Sequence, residues 1–145
     1  MNAVFADSHY WMAVTKPNDP WSAAADEARR SLGPVIIVTT DEMLTEFLTA
    51  LCKSPRLREL AVNAVRAIIR NPNVKVIPQS RDSFLRGLSL YESRTDKEYS
   101  LPDCISMDTM RHESLARVLT NDHHFEQEGF EILMKRNPPS PPDLK

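Results

Sequence analysis

Glycine is scarce, with three among 145 residues, and neither GxGxxG nor GxxxxGK[ST] occurs. That excludes the glycine-rich loops that cradle the phosphates of a nucleotide or dinucleotide. Cysteine is scarcer still: Cys52 and Cys104 both fall in helical patterns beside apolar residues. They read as packed free thiols in a reducing compartment rather than a disulfide framework. CxxC and HxxxH spacings are missing, so a zinc site built from His123-His124 with His9, His112 and the cysteines lacks the ligand pattern that makes zinc legible. No apolar stretch approaches the roughly 18 residues needed to span a bilayer, and the first residues meet Asp7 too early for a signal peptide. The expected location is the cytoplasm, without a membrane partner. A formal charge of −2, from 18 basic and 20 acidic residues, neither supports nor excludes a nucleic-acid partner.

What is present is a well-punctuated alternation. A chain of this length is most simply one domain able to bury about 70% of its unfolded surface. Ala3-Val4-Phe5-Ala6 and Val35-Ile36-Ile37-Val38 are continuous apolar runs of the kind that form strands buried on both faces. Val74-Lys75-Val76-Ile77 has one more polar position, stops at Pro78 and reads as an edge strand. Leu115 to Leu119 and Phe130 to Met134 read as two further strands.

Between the strands the 3.6-residue period predicts helices. One covers 9–14. The next follows Asp19 as N-cap and Pro20 as first helical residue. A third follows Thr39 as N-cap with Glu42 completing a capping box, and a fourth follows Ser54-Pro55. The helix over 80–93 is expected to bury Phe84, Leu85, Leu88 and Tyr91. Another is opened by Asp103, and a single turn carries Phe125. The expectation is an α/β three-layer sandwich: a mainly parallel central sheet of about four to five strands flanked by helices, with right-handed crossovers. The domain should span 1–135, and the proline-rich 136–145 should be an extended or disordered tail.

In such sheets ligands bind outside the carboxyl ends of the strands. That rule selects Asp7, directly after the first strand, and Glu46, on the helix after the second. It also selects Asp103, at the opening of a helix, and Asp122, just past the fourth strand. Taken alone, Asp103 has an ordinary reading as a helix cap. Asp7 does not, because its third-residue partner would be Tyr10. Four ionised carboxylates converging on one pocket repel one another unless they are protonated or bind a cation. Mg²⁺, with Mn²⁺ as a substitute, is the natural occupant for oxygen ligands. Glu42 and Asp108 are reserves: the first has its capping box, and the second lies five residues beyond Asp103, off its face.

Asp7 after the first apolar strand, Glu46 within Thr39-Thr-Asp-Glu-Met-Leu-Thr-Glu-Phe-Leu, Leu101-Pro-Asp-Cys-Ile-Ser-Met, and Leu119-Thr-Asn-Asp-His-His-Phe-Glu-Gln-Glu-Gly-Phe together resemble the PIN-domain family. The single-domain form most resembles the VapC-like toxins of type II toxin–antitoxin pairs. The resemblance implies an Mg²⁺-dependent endoribonuclease held inactive by a small cognate antitoxin, and a homodimer formed through the helices after the second and third strands. It places Asp7, Glu46, Asp103 and Asp122 in the family's acidic quartet, with Asp7, Asp103 and Asp122 as metal ligands and Glu46 a further one. Thr120 becomes the supporting hydroxyl and Ser8 the small polar residue after the first acid. His124 is expected to fix the turn or lie near the RNA.

Arg81, Arg86, Arg94, Arg111 and Arg117 are candidates for phosphate contacts, with no signal that separates them. Trp11, Trp21, Tyr10 and Tyr91 read as core or interface before base-stacking residues. Two competing readings stand beside this one. A catalytically silent RNA-binding or protein-interaction module would share the fold. A phosphoacceptor receiver domain expects adjacent acids after the first strand and an acid after the third, where this chain has Asp7-Ser8 and Ile77-Pro78.

Overall fold

The structure, a computed structural model, describes residues 2–135; the expected proline-rich tail over 136–145 lies outside the described residues. Within these residues five short strands form one sheet: β1 (Ala3–Ala6), β2 (Ile36–Thr40), β3 (Val74–Ile77), β4 (Arg117–Leu119) and β5 (Glu131–Ile132). Their order is β3-β2-β1-β4-β5 and every pairing is parallel. Among the described residues seven helices flank it: α1 (Ser8–Thr15), α2 (Ser22–Leu32), α3 (Asp41–Ala50), α4 (Pro55–Arg70), α5 (Arg81–Ser93), α6 (Leu101–His112) and α7 (His124–Gln127).

Strand alternation explains the layers. Successive side chains of a strand point to opposite faces, so a strand apolar at every position must be covered on both sides. Val4, Ala6 and Ile37 pack with Tyr10, Ala25, Leu44 and Phe47 on one face. Phe5 and Val38 pack with Met107, Met110 and Phe125 on the other. β1 lies in the middle with β2 beside it, paired Val4 to Ile37, and β4 on its other flank, paired Ala6 to Leu119. The gap between the β2-side and β4-side connections therefore opens directly beyond Ala6. Lys75 is exposed on β3, an edge strand as its sequence indicates.

Several local expectations are corrected. Thr40, not Thr39, caps α3: its side chain accepts from the Met43 N–H at 3.1 Å, so Glu42 is the second helical residue and no capping box forms. Thr39 belongs to β2, where its fully buried hydroxyl donates to the Ala6 carbonyl at 2.9 Å and accepts from Trp11 Nε1 at 3.1 Å. α2 begins at Ser22 rather than Pro20, because Asp19 Oδ1 instead accepts from the Trp21 N–H in a turn. Asp103 does not open α6. Ser100 does, and Asp103 is the third helical residue that reaches back to the Ser100 N–H in a capping box.

The largest correction concerns α5. Phe84, Leu85, Leu88 and Tyr91 are exposed, by 38% to 50%, and the buried residues are Ser83 and Gly87. A side chain at Gly87 would collide with Ile105, so α5 lies against α6 on its small-residue side and turns its large apolar residues outward.

Candidate active site

Asp7 is the first residue past β1, and its N–H continues the ladder by donating to the Leu119 carbonyl at 3.2 Å. It precedes α1 in extended conformation, yet its side chain caps nothing in that helix. The side chain is 3% exposed, and an acid buried that deeply needs partners. Thr120 Oγ1 donates to Asp7 Oδ2 at 2.8 Å, and His9 Nδ1 donates to the same oxygen at 2.7 Å. Thr120 Oγ1 also accepts from the Asp122 N–H at 3.1 Å, so one hydroxyl ties the end of β1 to the turn after β4. Asp122 Oδ1 in turn accepts from the His124 N–H at 2.9 Å. From the β2 side, Glu46 arrives on the second turn of α3, and Ser8 Oγ donates to its Oε1 at 3.1 Å. Asp103 completes the group from the first turn of α6.

One regularity runs through these four acids. Each is anchored through a single oxygen: Asp7 Oδ2 by Thr120 and His9, Glu46 Oε1 by Ser8, Asp103 Oδ2 by the Ser100 N–H, Asp122 Oδ1 by the His124 N–H. Among the described residues, the second oxygen of each accepts no hydrogen bond. Orientation is fixed while acceptor capacity is kept, which suits ligands and the groups that hold a ligand's water.

The electrostatics agree that the four share one space. Burial, then the charge of Asp7, raises the Glu46 carboxyl, with Asp103 adding to it. Burial also raises Asp103, with the charges of Asp122 and Asp7 contributing against its Ser100 bonds. His9 is raised by its hydrogen bond to Asp7 and by the charges of Asp7, Asp122 and Glu46, against burial. Ionised together, these acids disfavour one another, and a cation relieves that.

The residues also pass a test of fit to a divalent ion. Donor atoms of Asp103, Asp122 and His124 all lie within 4.8 Å of one another. His124 Nδ1 lies 3.2 Å from Asp122 Oδ1 and 3.6 Å from Asp103 Oδ2, yet the atom is buried and has no hydrogen-bond partner. Asp7 and Glu46 are not members of this three-residue group; they are coupled to it through charge, Asp7 acting on Asp103 and Glu46, and Asp103 on Glu46.

The two reserves fall elsewhere. Asp108 Oδ2 accepts from Arg86 Nε at 2.8 Å and joins α6 to α5. Glu42 lines a small groove with Ile77, Ser80, Arg86 and His112. Trp11 and Tyr10 are core residues. Of the arginines considered for phosphate contacts, Arg86 is engaged by Asp82 and Asp108, while Arg94 and Arg111 bind Glu128.

Four participants were not assigned these places from the sequence. His9 had the signal of an Asp-x-His pair at the end of a strand. Ser100 had a Ser-x-x-Asp box. Glu128 and Tyr99 had none. Glu128 has only 5% of its side chain exposed. It accepts from Arg94 Nε at 2.6 Å, Arg111 Nη2 at 2.6 Å and Tyr99 Oη at 3.3 Å. Against burial, which raises it, the two arginines hold its carboxyl down to about 2. This clamp pins the connection 94–100 to the end of α7, and Tyr99 meets the His124 ring edge-on at 5.5 Å. It thereby steadies both Asp103, through Ser100, and His124.

Solved structures share this architecture. VapC20 of Mycobacterium tuberculosis, described as a Sarcin-Ricin loop cleaving toxin, superposes with a TM-score of 0.79 at 24% identity, covering 88% of this chain and 95% of that one. VapBC2 of Rickettsia felis, bound to a DNA fragment from its promoter, gives a TM-score of 0.66 at 11% identity, covering 90% and 96%. FitAcB of Neisseria gonorrhoeae gives 0.61 at 14% identity, again covering 90% and 96%. At these identities the likeness is one of fold. A search of curated protein sequences returned no significant match. The family model for the PIN domain, however, matches residues 4–131, from the first strand that delivers Asp7 to the last strand of the sheet. With the fold and nearly the whole described chain accounted for in that way, the protein belongs to the PIN-domain family.

Proposed function

We propose that the chain is a divalent-metal-dependent endoribonuclease and the toxin of a toxin–antitoxin pair. The observation that carries this reading is the set of four carboxylates at the carboxyl edge of the sheet, each anchored through one oxygen with the other kept available. Asp7, Asp103 and Asp122 would hold Mg²⁺, or Mn²⁺ in its place, with Glu46 as a further ligand or as the holder of a water. The bound ion supplies a polarised phosphoryl group, an acidified water and a stabilised leaving oxygen. Thr120 and His9 keep Asp7 in place, Ser8 keeps Glu46 in place, and the Ser100 cap keeps Asp103 in place. No side-chain nucleophile is needed.

The toxin assignment is supported by the solved structures of like fold, one described as a toxin. A small cognate antitoxin is the expected protein partner, and the neighbouring reading frame is where to look for it. The outward apolar face of α5 is our choice for a homodimer contact. Among the described residues no helix is long and apolar enough to cross a membrane, and we place the protein in the cytoplasm.

The test is incubation of the purified protein with RNA and Mg²⁺ or Mn²⁺. Ribosomal RNA comes first, because VapC20 is described as cleaving the Sarcin-Ricin loop. Cleavage should be lost with EDTA and with Asp7→Asn or Asp103→Asn. Cleavage that survives those changes rejects the assigned site. RNA binding without metal-dependent cleavage replaces the enzyme by the silent module.

A further inference from the structure

We infer that His124 Nδ1 is itself a ligand of the divalent ion, so that the site is a mixed nitrogen–oxygen site that favours Mn²⁺ over Mg²⁺. The inference rests on the cation reading of the carboxylate cluster and deepens it. The ordinary alternative is that His124 is an ion-pair partner that neutralises the acids. An imidazolium in that role should point an N–H along the line to a carboxylate oxygen. Here Nδ1 is 3.2 Å from Asp122 Oδ1 and 3.6 Å from Asp103 Oδ2, but it makes no hydrogen bond to either and is shielded from solvent. A buried ring nitrogen between two carboxylates, without the alignment of a donor, is placed as a lone pair would be for a shared cation.

The ring is also held there. The His124 backbone N–H donates to Asp122 Oδ1, Tyr99 meets the ring in a T-shaped contact at 5.5 Å, and Tyr99 is fixed in turn by Glu128. Metal-binding histidines typically carry such outer support, which sets the direction of the coordinating nitrogen. The consequence is selectivity. Mg²⁺ strongly prefers oxygen, whereas imidazole suits first-row transition ions, and Mn²⁺ also accepts the octahedral, carboxylate-rich remainder of this site.

The experiment uses metal-free full-length protein. Mn²⁺ is titrated with electron paramagnetic resonance detection, Mg²⁺ is measured by competition, and pulsed resonance on the Mn²⁺ complex reads coordinated ¹⁴N directly. The expected result is imidazole ¹⁴N modulation in the unaltered protein and in His123→Ala, and its loss in His124→Ala. Mn²⁺ affinity should fall about tenfold or more in His124→Ala, the scale seen when metal-site partners are removed, with a much smaller change for Mg²⁺. The ¹⁴N reading on the unaltered protein does not depend on any variant folding. Mn²⁺ that binds, is lost with Asp103→Asn, and shows no ¹⁴N coupling overturns the role of His124 while leaving the proposed cation site standing. Absence of Mn²⁺ binding sensitive to Asp103→Asn overturns both.

Discussion

Thr120 and Asp7 are joined by a 2.8 Å hydrogen bond across 113 positions of sequence, and the same hydroxyl accepts the Asp122 N–H. Thr120→Val keeps the β-branched shape of this buried residue, yet leaves Asp7 short of a donor and the Asp122 N–H short of an acceptor. Cleavage should fall by about 10–100-fold, as when outer partners of metal ligands are removed. Stability should fall by about 1–3 kcal/mol. Thr120→Ser should restore most of both. Rates on RNA beside thermal melts provide the check, and a Val variant as active as the unaltered protein would remove Thr120 from the site.

Glu46→Gln separates activity from stability. Burial and the charge of Asp7 disfavour ionised Glu46 in the folded protein, while Ser8 can donate to an amide oxygen as well as to a carboxylate. Metal-free Glu46→Gln should therefore melt at or above the temperature of the unaltered protein at pH 7. Its cleavage rate should drop on the order of 10²–10³-fold, the scale of losing one preorganised electrostatic group. A variant that is both less stable and fully active would show that Glu46 is structural.

Glu128 governs the acid limb of stability. Its carboxyl lies well below its ordinary value of 4.5, at about 2, once the arginine bonds overcome burial. Its contribution is therefore fully present above pH about 4.5 and is lost as the pH falls toward 2. Glu128→Gln should destabilise the protein at pH 7 by about 1–3 kcal/mol and flatten the decline between those two values. Thermal melts across pH 2 to 7 measure this, and parallel acid limbs in the two proteins would contradict it.

Gly87→Ala tests the contact that places α6. Alanine favours a helix over glycine by about 1 kcal/mol, so an open site would be stabilised. Here the added carbon would come within 2.4 Å of Ile105 Cγ1 and 3.0 Å of the Ile105 backbone. Overpacking of that kind costs about 1–3 kcal/mol, and net destabilisation is expected in denaturant unfolding. Ile105→Ala alongside, which removes Cγ1, should relieve part of the overlap.

Leu88→Glu probes the outward face of α5. Leu88 is 41% exposed beside Leu85, Phe84 and Tyr91, so the substitution costs the single chain little. Light scattering should show a dimer for the unaltered protein and a monomer for the variant. An unaltered protein that is monomeric at all concentrations would remove the dimer.

Much of this was readable in the sequence because the determining signals are local. Continuous apolar runs marked β1 and β2, Ser54-Pro55 and Ser80 marked helix starts, and the strand-end rule brought forward Asp7, Glu46, Asp103 and Asp122. The misreadings share a cause. Thr39 and Thr40 are equivalent as caps in one dimension, and only the partner strand and Trp11 decide between them. Apolar residues on α5 suggested a buried stripe, but helix contact is set by how closely backbones approach, and Gly87 allows α6 in on the opposite side. Glu128 was invisible because its partners come from the connection 94–100, which carries Arg94 and Tyr99, and from α6, which carries Arg111, all distant in sequence. A pairing of that kind leaves no spacing to read.

The central position of β1 has a consequence for synthesis. Asp7 is made more than a hundred residues before the partners that orient it, Leu119 and Thr120. On the proposed reading, the growing chain carries one half of a nuclease past the ribosome that makes it. The halves meet only after β4 has emerged to close against β1. An enzyme that cuts RNA would thus be harmless to its own translating ribosome while the residues between β1 and β4 are made, and the window in which an inhibitor must be ready opens only once β4 has emerged.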